Sequence, residues 1–291
     1  MTSPPTSVRD AVRAATRTLA AAGIASPAVD AAELAAHVLG VTRSDLHRPA
    51  VADAAVPAAY AALVEQRAQR VPLQHLTGFA PFRHLLLRVG PGVFVPRPET
   101  ELVAQAAIDE AARVARELGR RARVADLGTG SGAIALAVAT EVPGTRVWAV
   151  EKDPLAHAWA ERNVGGSTVE LRLGDFATAL RDLDDTLDVL VSNPPYIPPD
   201  AVPLDPEVRD HDPEMALYGG GEDGLAAIRA VERAARGLLR PGGLLVIEHA
   251  DSQGESAPAV LAGPGGWGSI TDVPDLAGRP RYVIARKEHA P

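Results

Sequence analysis

Asn193-Pro194-Pro195-Tyr196 follows directly on the apolar run at 187–192, Leu-Asp-Val-Leu-Val-Ser. A side-chain amide, a rigid Pro-Pro turn and an aromatic face suit one kind of chemistry. They can hold a planar, weakly nucleophilic NH2, either a carboxamide or an exocyclic base amine, while it attacks an electrophile. Such a nitrogen is a poor nucleophile because its lone pair is delocalised. If the Asn193 side-chain oxygen and the Pro194 carbonyl accept its two N–H bonds, electron density shifts toward nitrogen and the group is aimed. Tyr196 can stack on the planar group, and a π face suits positive charge on the group in transfer. Asn193, Pro194 and Tyr196 are the candidate catalytic residues, and Pro195 completes the substrate grip. Catalysis would rest on orientation and electrostatics, with no strong base needed before transfer. An isolated Asn-Pro turn does no more than close a strand; this one stands out by what lies upstream.

Val124-Ala125-Asp126-Leu127 reads as a buried strand feeding Gly128-Thr129-Gly130-Ser131-Gly132 and then a helix. Glycines at 128, 130 and 132 permit positive φ and close approach of a ligand, and the helix start suits an anionic group. The spacing departs from the dinucleotide fingerprint, because Ala133 stands where its third glycine would be. About 20 residues on, the next strand ends in Glu151, placed to take two ribose hydroxyls. A third ends at Gly174-Asp175-Phe176, an acceptor for an adenine edge beside an apolar wall. Ribose and adenine recognition without a pyrophosphate loop points to S-adenosylmethionine rather than NAD. Gly128 to Gly132, Glu151, Asp175, Phe176 and Asn193 are the candidate cofactor-binding residues.

These residues need a scaffold, and the pattern supplies one. Residues 7–70 are Ala-rich and helical in period, with Val8, Val12 and Leu19 on one face and a further helix expected over 56–70. In 79–95, apolar residues flank Gly90-Pro91-Gly92, a hairpin signal. From Pro98 onward helices and strands alternate: helix 99–118, strand 123–127, helix 131–140, strand 146–151, helix 154–163, strand 169–173, strand 187–192, helix 224–239 and strand 243–249. The tail has room for two more strands. This alternation predicts an α/β doubly wound sheet, with strand 187–192 beside strand 123–127. Residues 193–224 form a long connection, the length of a functional lid or binding loop.

Composition narrows the partners. The 291 residues carry a net charge of −8, against a sequence-independent grip on a phosphate backbone. There is no cysteine, hence no disulfide, thiolate metal site or thiol nucleophile. No metal site is expected: the acidic stretch around His211 lacks ligand spacing, and the histidine of Glu248-His249, at the end of a strand, reads as structural. Arg120-Arg121 with Arg123 reads as a solvated face. The N-terminal stretch lacks a signal-peptide pattern and no apolar run suits a membrane, so a cytoplasmic protein without membrane contact is expected.

The chain resembles the release-factor glutamine N5-methyltransferases (PrmC/HemK). The resemblance is carried by the helical N-terminal region, the 95–101 segment Val-Pro-Arg-Pro-Glu-Thr-Glu, DLGTGSGAIAL at 126–136, SNPPYI at 192–197, GGGEDGL from 219, and 248–254. The RPETE segment is the specific one, since NPPY is shared with nucleic-acid N-methyltransferases. The resemblance implies a Rossmann-like class I S-adenosylmethionine-dependent methyltransferase domain (99–291). A β-hairpin linker (76–98) would join it to an N-terminal helical substrate-docking domain (1–75). It implies methylation of the Gln side chain in the Gly-Gly-Gln loop of class-I peptide chain release factors, with Gly128 to Gly132 at the methionine part of the cofactor, Glu151 at the ribose, Phe176 at the adenine and Asn193 to Tyr196 on the glutamine. The family often has Asp at the position of Glu151 and Trp at that of Phe176; both differences keep the chemistry. No direct nucleic-acid contact and a monomer are expected. The alternatives are a nucleic-acid amine N-methyltransferase, which the acidic balance disfavours, and a cofactor-binding regulator, which an intact Asn193 disfavours.

Overall fold

The computed structural model describes residues 7–263 and 266–288. The first six residues of the expected 1–75 domain and residues 264, 265 and 289–291 of the expected 99–291 domain lie outside the described residues. Contacts divide the chain into two units. One runs up to Phe79 and takes in Pro203–His211; the other holds Ala80–Val202 and the chain from Asp212 onward.

The first unit is helical. Ser7 caps helix Val8–Ala21 by accepting from the Asp10 amide, and Gly40 ends helix Pro27–Leu39 in the left-handed conformation, which costs a glycine nothing. With helix Ala59–Ala68 these bury Leu19, Leu34, Tyr60 and Val64, each worth about 1.5–3 kcal/mol if fully withdrawn from water. The third helix is shorter than the expected 56–70. Arg67 is buried, its Nε 2.7 Å from Asp30 and its Nη2 2.8 Å from Glu207. Glu207 also meets Arg70 at 3.1 Å. These ion pairs draw helix Pro206–His211 into the helical unit, whereas the linear reading left that segment in the second domain.

The second unit, from Ala80, opens with most of strand β1 (Phe79–Phe82) and its partner β2 (Leu85–Arg88). The turn falls at Arg83-His84, not at Gly90-Pro91-Gly92 as expected. Arg83 takes a positive φ of 53°, and tertiary partners hold it there: its amide donates to Glu101 at 2.8 Å and its guanidinium to Glu141 at 2.6 and 2.7 Å. The two glycines serve packing instead. A Cβ on Gly90 would lie 2.5 Å from Trp159, and Gly92, at φ +90°, abuts Leu155.

The main sheet comprises β3 (Arg123–Leu127), β4 (Arg146–Glu151), β5 (Val169–Leu173), β6 (Leu187–Ser192), β7 (Leu239–Glu248), β8 (Trp267–Pro274) and β9 (Pro280–Lys287), in the order β5-β4-β3-β6-β7-β9-β8. The first five are parallel and β9 is antiparallel to both its neighbours. Successive strand residues face opposite layers. Val124, Val189, Val191 and Val246 pack with helices Thr100–Leu118 and Ala133–Glu141. Ala125, Leu127, Leu190, Leu245 and Ile247 pack with helix Ala226–Leu238. This is the expected doubly wound sheet, and β3 to β6 have the expected bounds. β7 starts earlier than expected, pairing Leu239 with Leu187 before a register shift.

Candidate active site

β6 lies beside β3, with Val124, Ala125 and Asp126 in register with Val189, Leu190 and Val191. The order reverses between these strands, so their carboxyl ends open a crevice at the switch point. The Ser192 hydroxyl donates to the Leu127 carbonyl at 2.6 Å, tying the residue before Asn193 to the residue before Gly128.

The glycine loop is built to receive a ligand on one side. Gly128 and Gly130 have φ of 71° and 57°, and no atom lies within 4 Å of a Cβ placed on either, so the space a side chain would fill is open. Gly132, at φ 84°, packs on Val164. Asp126 is fully buried; its Oδ2 accepts from the Thr129 hydroxyl at 2.6 Å and the Ala135 amide at 3.1 Å, while Oδ1 has no hydrogen-bond partner among the described residues. Burial pushes its pKa up to about 7 against those two bonds. An open cradle beside a buried, unpartnered carboxylate oxygen fits a small cationic ligand such as S-adenosylmethionine.

Glu151, at the end of β4, is buried and accepts three backbone N–H bonds at 2.8 Å, from Gly130, Lys152 and Asp153. It braces the loop, a role that strand-end position alone does not reveal. The Gly128 and Thr129 amides donate to Val150 and that of Gly132 to Thr129, so much of the loop's donor set serves its own shape. Asp175 is exposed, accepting from the Ala177 amide at 2.9 Å and pairing with Lys152 at 3.2 Å. The Ala177 bond, then Lys152, keeps its pKa low against slight burial. Phe176 is half-buried against the core that includes Leu127 and Val150.

The reacting loop is held from several directions. Asn193 Nδ2 donates to the Thr100 hydroxyl at 3.2 Å. The Tyr196 and Ile197 amides donate to Leu217, and Gly219 donates back to Ile197. The Tyr196 carbonyl accepts from Gln253 Nε2 at 2.9 Å. Thus 193–224 is not a free loop: it carries helices Pro206–His211 and Glu214–Leu217 and folds back on its own start. The RPETE segment explains itself at this point. Arg97 pairs with the buried Asp212 at 2.6 Å, Thr100 meets Asn193, and Glu101 fixes the Arg83 turn.

A residue not placed in the site from sequence joins it here. Glu248 is 2% exposed. Burial raises its pKa to about 7, opposed by the Thr100 hydroxyl, by Arg281 and by the Tyr196 hydroxyl. The burial of Tyr196, then Glu248, raises the phenol pKa in turn, keeping it protonated. His249, by contrast, is structural: Nδ1 lies 2.8 Å from the Ala250 carbonyl and Nε2 2.9 Å from Asp272. Among the described residues no group of three or more His, Asp or Glu is arranged to hold a metal ion.

Comparison with known proteins identifies what this arrangement belongs to. Residues 10–78 match the PrmC N-terminal domain and residues 99–204 the methyltransferase small domain. A release factor glutamine methyltransferase of Streptomyces coelicolor is 54% identical over 95% of this chain and 96% of its own. That of Mycolicibacterium smegmatis is 47% identical over 97% and 98%. A 4-amino-L-phenylalanine/4-methylamino-L-phenylalanine methyltransferase of Streptomyces pristinaespiralis is 37% identical over 94% of both. With the helical unit, the glycine loop and the NPPY turn all inside the matched span, the chain belongs to the release factor glutamine methyltransferases.

Proposed function

We propose that the protein methylates the side-chain amide nitrogen of the Gly-Gly-Gln glutamine in class-I peptide chain release factors, using S-adenosylmethionine, and so acts in translation termination in the cytoplasm. The observation that carries this is near full-length similarity to enzymes so named, joined to an amide-binding turn set beside a glycine cradle. Asn193 Oδ1 and the Pro194 carbonyl accept the two N–H bonds of the glutamine amide and aim its nitrogen. Pro194 and Pro195 hold those acceptors in a fixed turn, and Gln253 anchors the Tyr196 carbonyl behind it. Tyr196 presents its ring to the planar amide. Gly128 to Gly132 leave room for the methionine part of the cofactor, and Glu151, through Gly130, keeps that cradle in shape while its edge serves the ribose. Phe176 walls the adenine, with Asp175 at its rim. When bound, S-adenosylmethionine would supply an activated methyl group on a cationic sulfur, with a neutral thioether as the leaving group. The nitrogen then sheds one proton to water, so no buried base is required. The helical domain, residues 1–75, supplies docking surface for the release factor: it has its own core and contributes none of the residues placed in the site.

Tritiated methyl from S-adenosylmethionine is expected in the Gly-Gly-Gln glutamine of a release factor, and Asn193→Ala should cut turnover severely while leaving cofactor binding near normal. Label in tRNA, rRNA, DNA or a free arylamine in place of the release factor would overturn the substrate assignment.

A further inference from the structure

We infer that the amino-terminal edge of the sheet carries a second ligand site, a cavity that takes a small phosphate dianion, free or as a monoester. The inference stands apart from the methyl-transfer reading above. The cavity, of about 380 Å3, is lined by Arg121, Thr145, Arg146, Trp148, Thr168 and Glu170, among others. Arg121, Thr145 and Thr168 stand just before β3, β4 and β5, and Arg146 opens β4. The cavity therefore lies at the sheet edge opposite the glycine loop and the Asn193 turn. Its volume suits a phosphate bearing a small organic group.

The charges around it call for an anion. Arg123 and Arg146 are register partners on β3 and β4, and their guanidinium groups lie over the Trp148 ring, 5.0 and 5.1 Å from its centroid. Arg121 adds a third at the cavity wall. None of these three guanidinium groups meets a carboxylate at ion-pair distance among the described residues. The arginines on either side are paired, Arg120 with Asp188 and Arg172 with Glu170 and Asp182. Acids outnumber bases in the chain, 37 to 29, so the missing partner reflects no shortage of acids. Crowded like charges repel, and an anion between Arg121 and Arg146 relieves that repulsion. Glu170, in the same lining, is already engaged: it accepts from Trp148 Nε1 at 2.9 Å and pairs with Arg172 at 2.6 Å.

A second observation is independent of charge. Thr145 lines the cavity yet is only 5% exposed, and its hydroxyl has no hydrogen-bond partner among the described residues. A buried hydroxyl left unpaired is costly, and a phosphate oxygen is an acceptor that satisfies it. Guanidinium forks match phosphate oxygens bidentately. A phosphate monoester carries close to two negative charges at neutral pH, matching the two exposed guanidinium groups of Arg121 and Arg146. A nucleic-acid backbone asks instead for an extended basic stripe, which this compact group beside Glu170 does not offer.

The test is calorimetric titration of the full chain with ribose 5-phosphate, inorganic phosphate and a single-stranded oligonucleotide lacking terminal phosphates. Ribose 5-phosphate is expected to bind saturably at millimolar ligand. Arg121→Gln and Arg146→Gln should each weaken it roughly tenfold or more, the scale of a lost charge-assisted hydrogen bond, and Thr145→Val should weaken it less. Arg233→Gln, at an exposed arginine on helix Ala226–Leu238, should leave it unchanged. Thermal unfolding checks that the variants fold, and methyl transfer by Arg121→Gln and Arg146→Gln should equal wild type. Affinity should fall from about pH 7.5 to about pH 5, as the phosphate takes up its second proton. Inorganic phosphate binding as tightly as the ester would identify the free ion as the ligand, and a tighter ester would identify the monoester; either supports the site. Absence of saturable binding, binding indifferent to both arginine variants, equal weakening by Arg233→Gln, or equal affinity at the two pH values would each overturn it. Tighter binding of the oligonucleotide, lost in the same variants, would overturn the small-ligand assignment in favour of nucleic acid.

Discussion

At the scale of single residues, side-chain type carries the chemistry and neighbours decide the role. Asn193 and Glu151 stand out in the sequence as candidates because an amide after a strand and a carboxylate at a strand end suit few ligands. Three amide donors on Glu151 add a second task, shaping the cradle at Gly130. Glu151→Ala should therefore weaken S-adenosylmethionine binding by roughly 1–3 kcal/mol, the scale of lost charge-assisted hydrogen bonds. Unchanged affinity in calorimetry would remove Glu151 from the cofactor site. The structural reading of His249 leaves its neighbour Glu248 unassigned, although Glu248 is buried at the end of β7. The groups that hold the Glu248 pKa down against burial, Thr100, Arg281 and Tyr196, come from far away in the chain, and no local pattern announces them. Arg120 and Arg121 are exposed, as expected, but Arg120 also donates to the buried Asp188 at 2.7 Å, together with Arg240 and the Arg123 amide.

At the scale of elements, glycines tell most about how loops are pressed together. A Cβ on Gly219 would sit 2.0 Å from the Gly224 carbonyl, and one on Gly224 2.6 Å from that of Tyr196. Gly219 and Gly224 thus lie backbone to backbone against the Pro195-Tyr196 turn, which is why a larger residue cannot stand at either position. Gly90 plays the same part against Trp159 on helix Pro154–Val164. Gly90→Ala is expected to destabilise the fold by about 1–3 kcal/mol through overpacking, read as a lower midpoint in denaturant. A midpoint equal to wild type would show that Trp159 moves aside freely. The hairpin was legible as two apolar runs. Its turn was not, because a non-glycine residue at positive φ is chosen by Glu101 and Glu141 rather than by its own preference.

At the scale of the whole molecule, ion pairs knit elements that are distant in sequence. Glu110 on helix Thr100–Leu118 meets Arg286 on β9 at 2.8 Å and Arg113 at 2.6 Å. Burial works to raise its pKa, but the bonds from the two arginines outweigh that and bring it down to about 2 from an ordinary 4.5. A depressed carboxyl pKa stabilises the folded state above the unfolded value, and this contribution fades as pH falls toward the folded one. Glu110→Gln should therefore cost roughly 1.5–3 kcal/mol near neutrality. The gap to wild type should narrow as pH falls below about 4.5, in denaturant titrations at stepped pH. A gap independent of pH would mean the loss is one of packing.

The sequence by itself determined the alternating α/β order, the bounds of β3 to β6, the open glycine loop and the Asn193 turn that follows β6. These follow from short-range physics: side-chain period, the φ freedom of glycine and the rigidity of proline act within a few residues. Tertiary structure alone decided that Pro206–His211 joins the helical unit, that the hairpin turns at Arg83, and that Thr100 stands behind Asn193. Those outcomes depend on burial and on charges brought together from remote parts of the chain. Neither exists until the chain has folded.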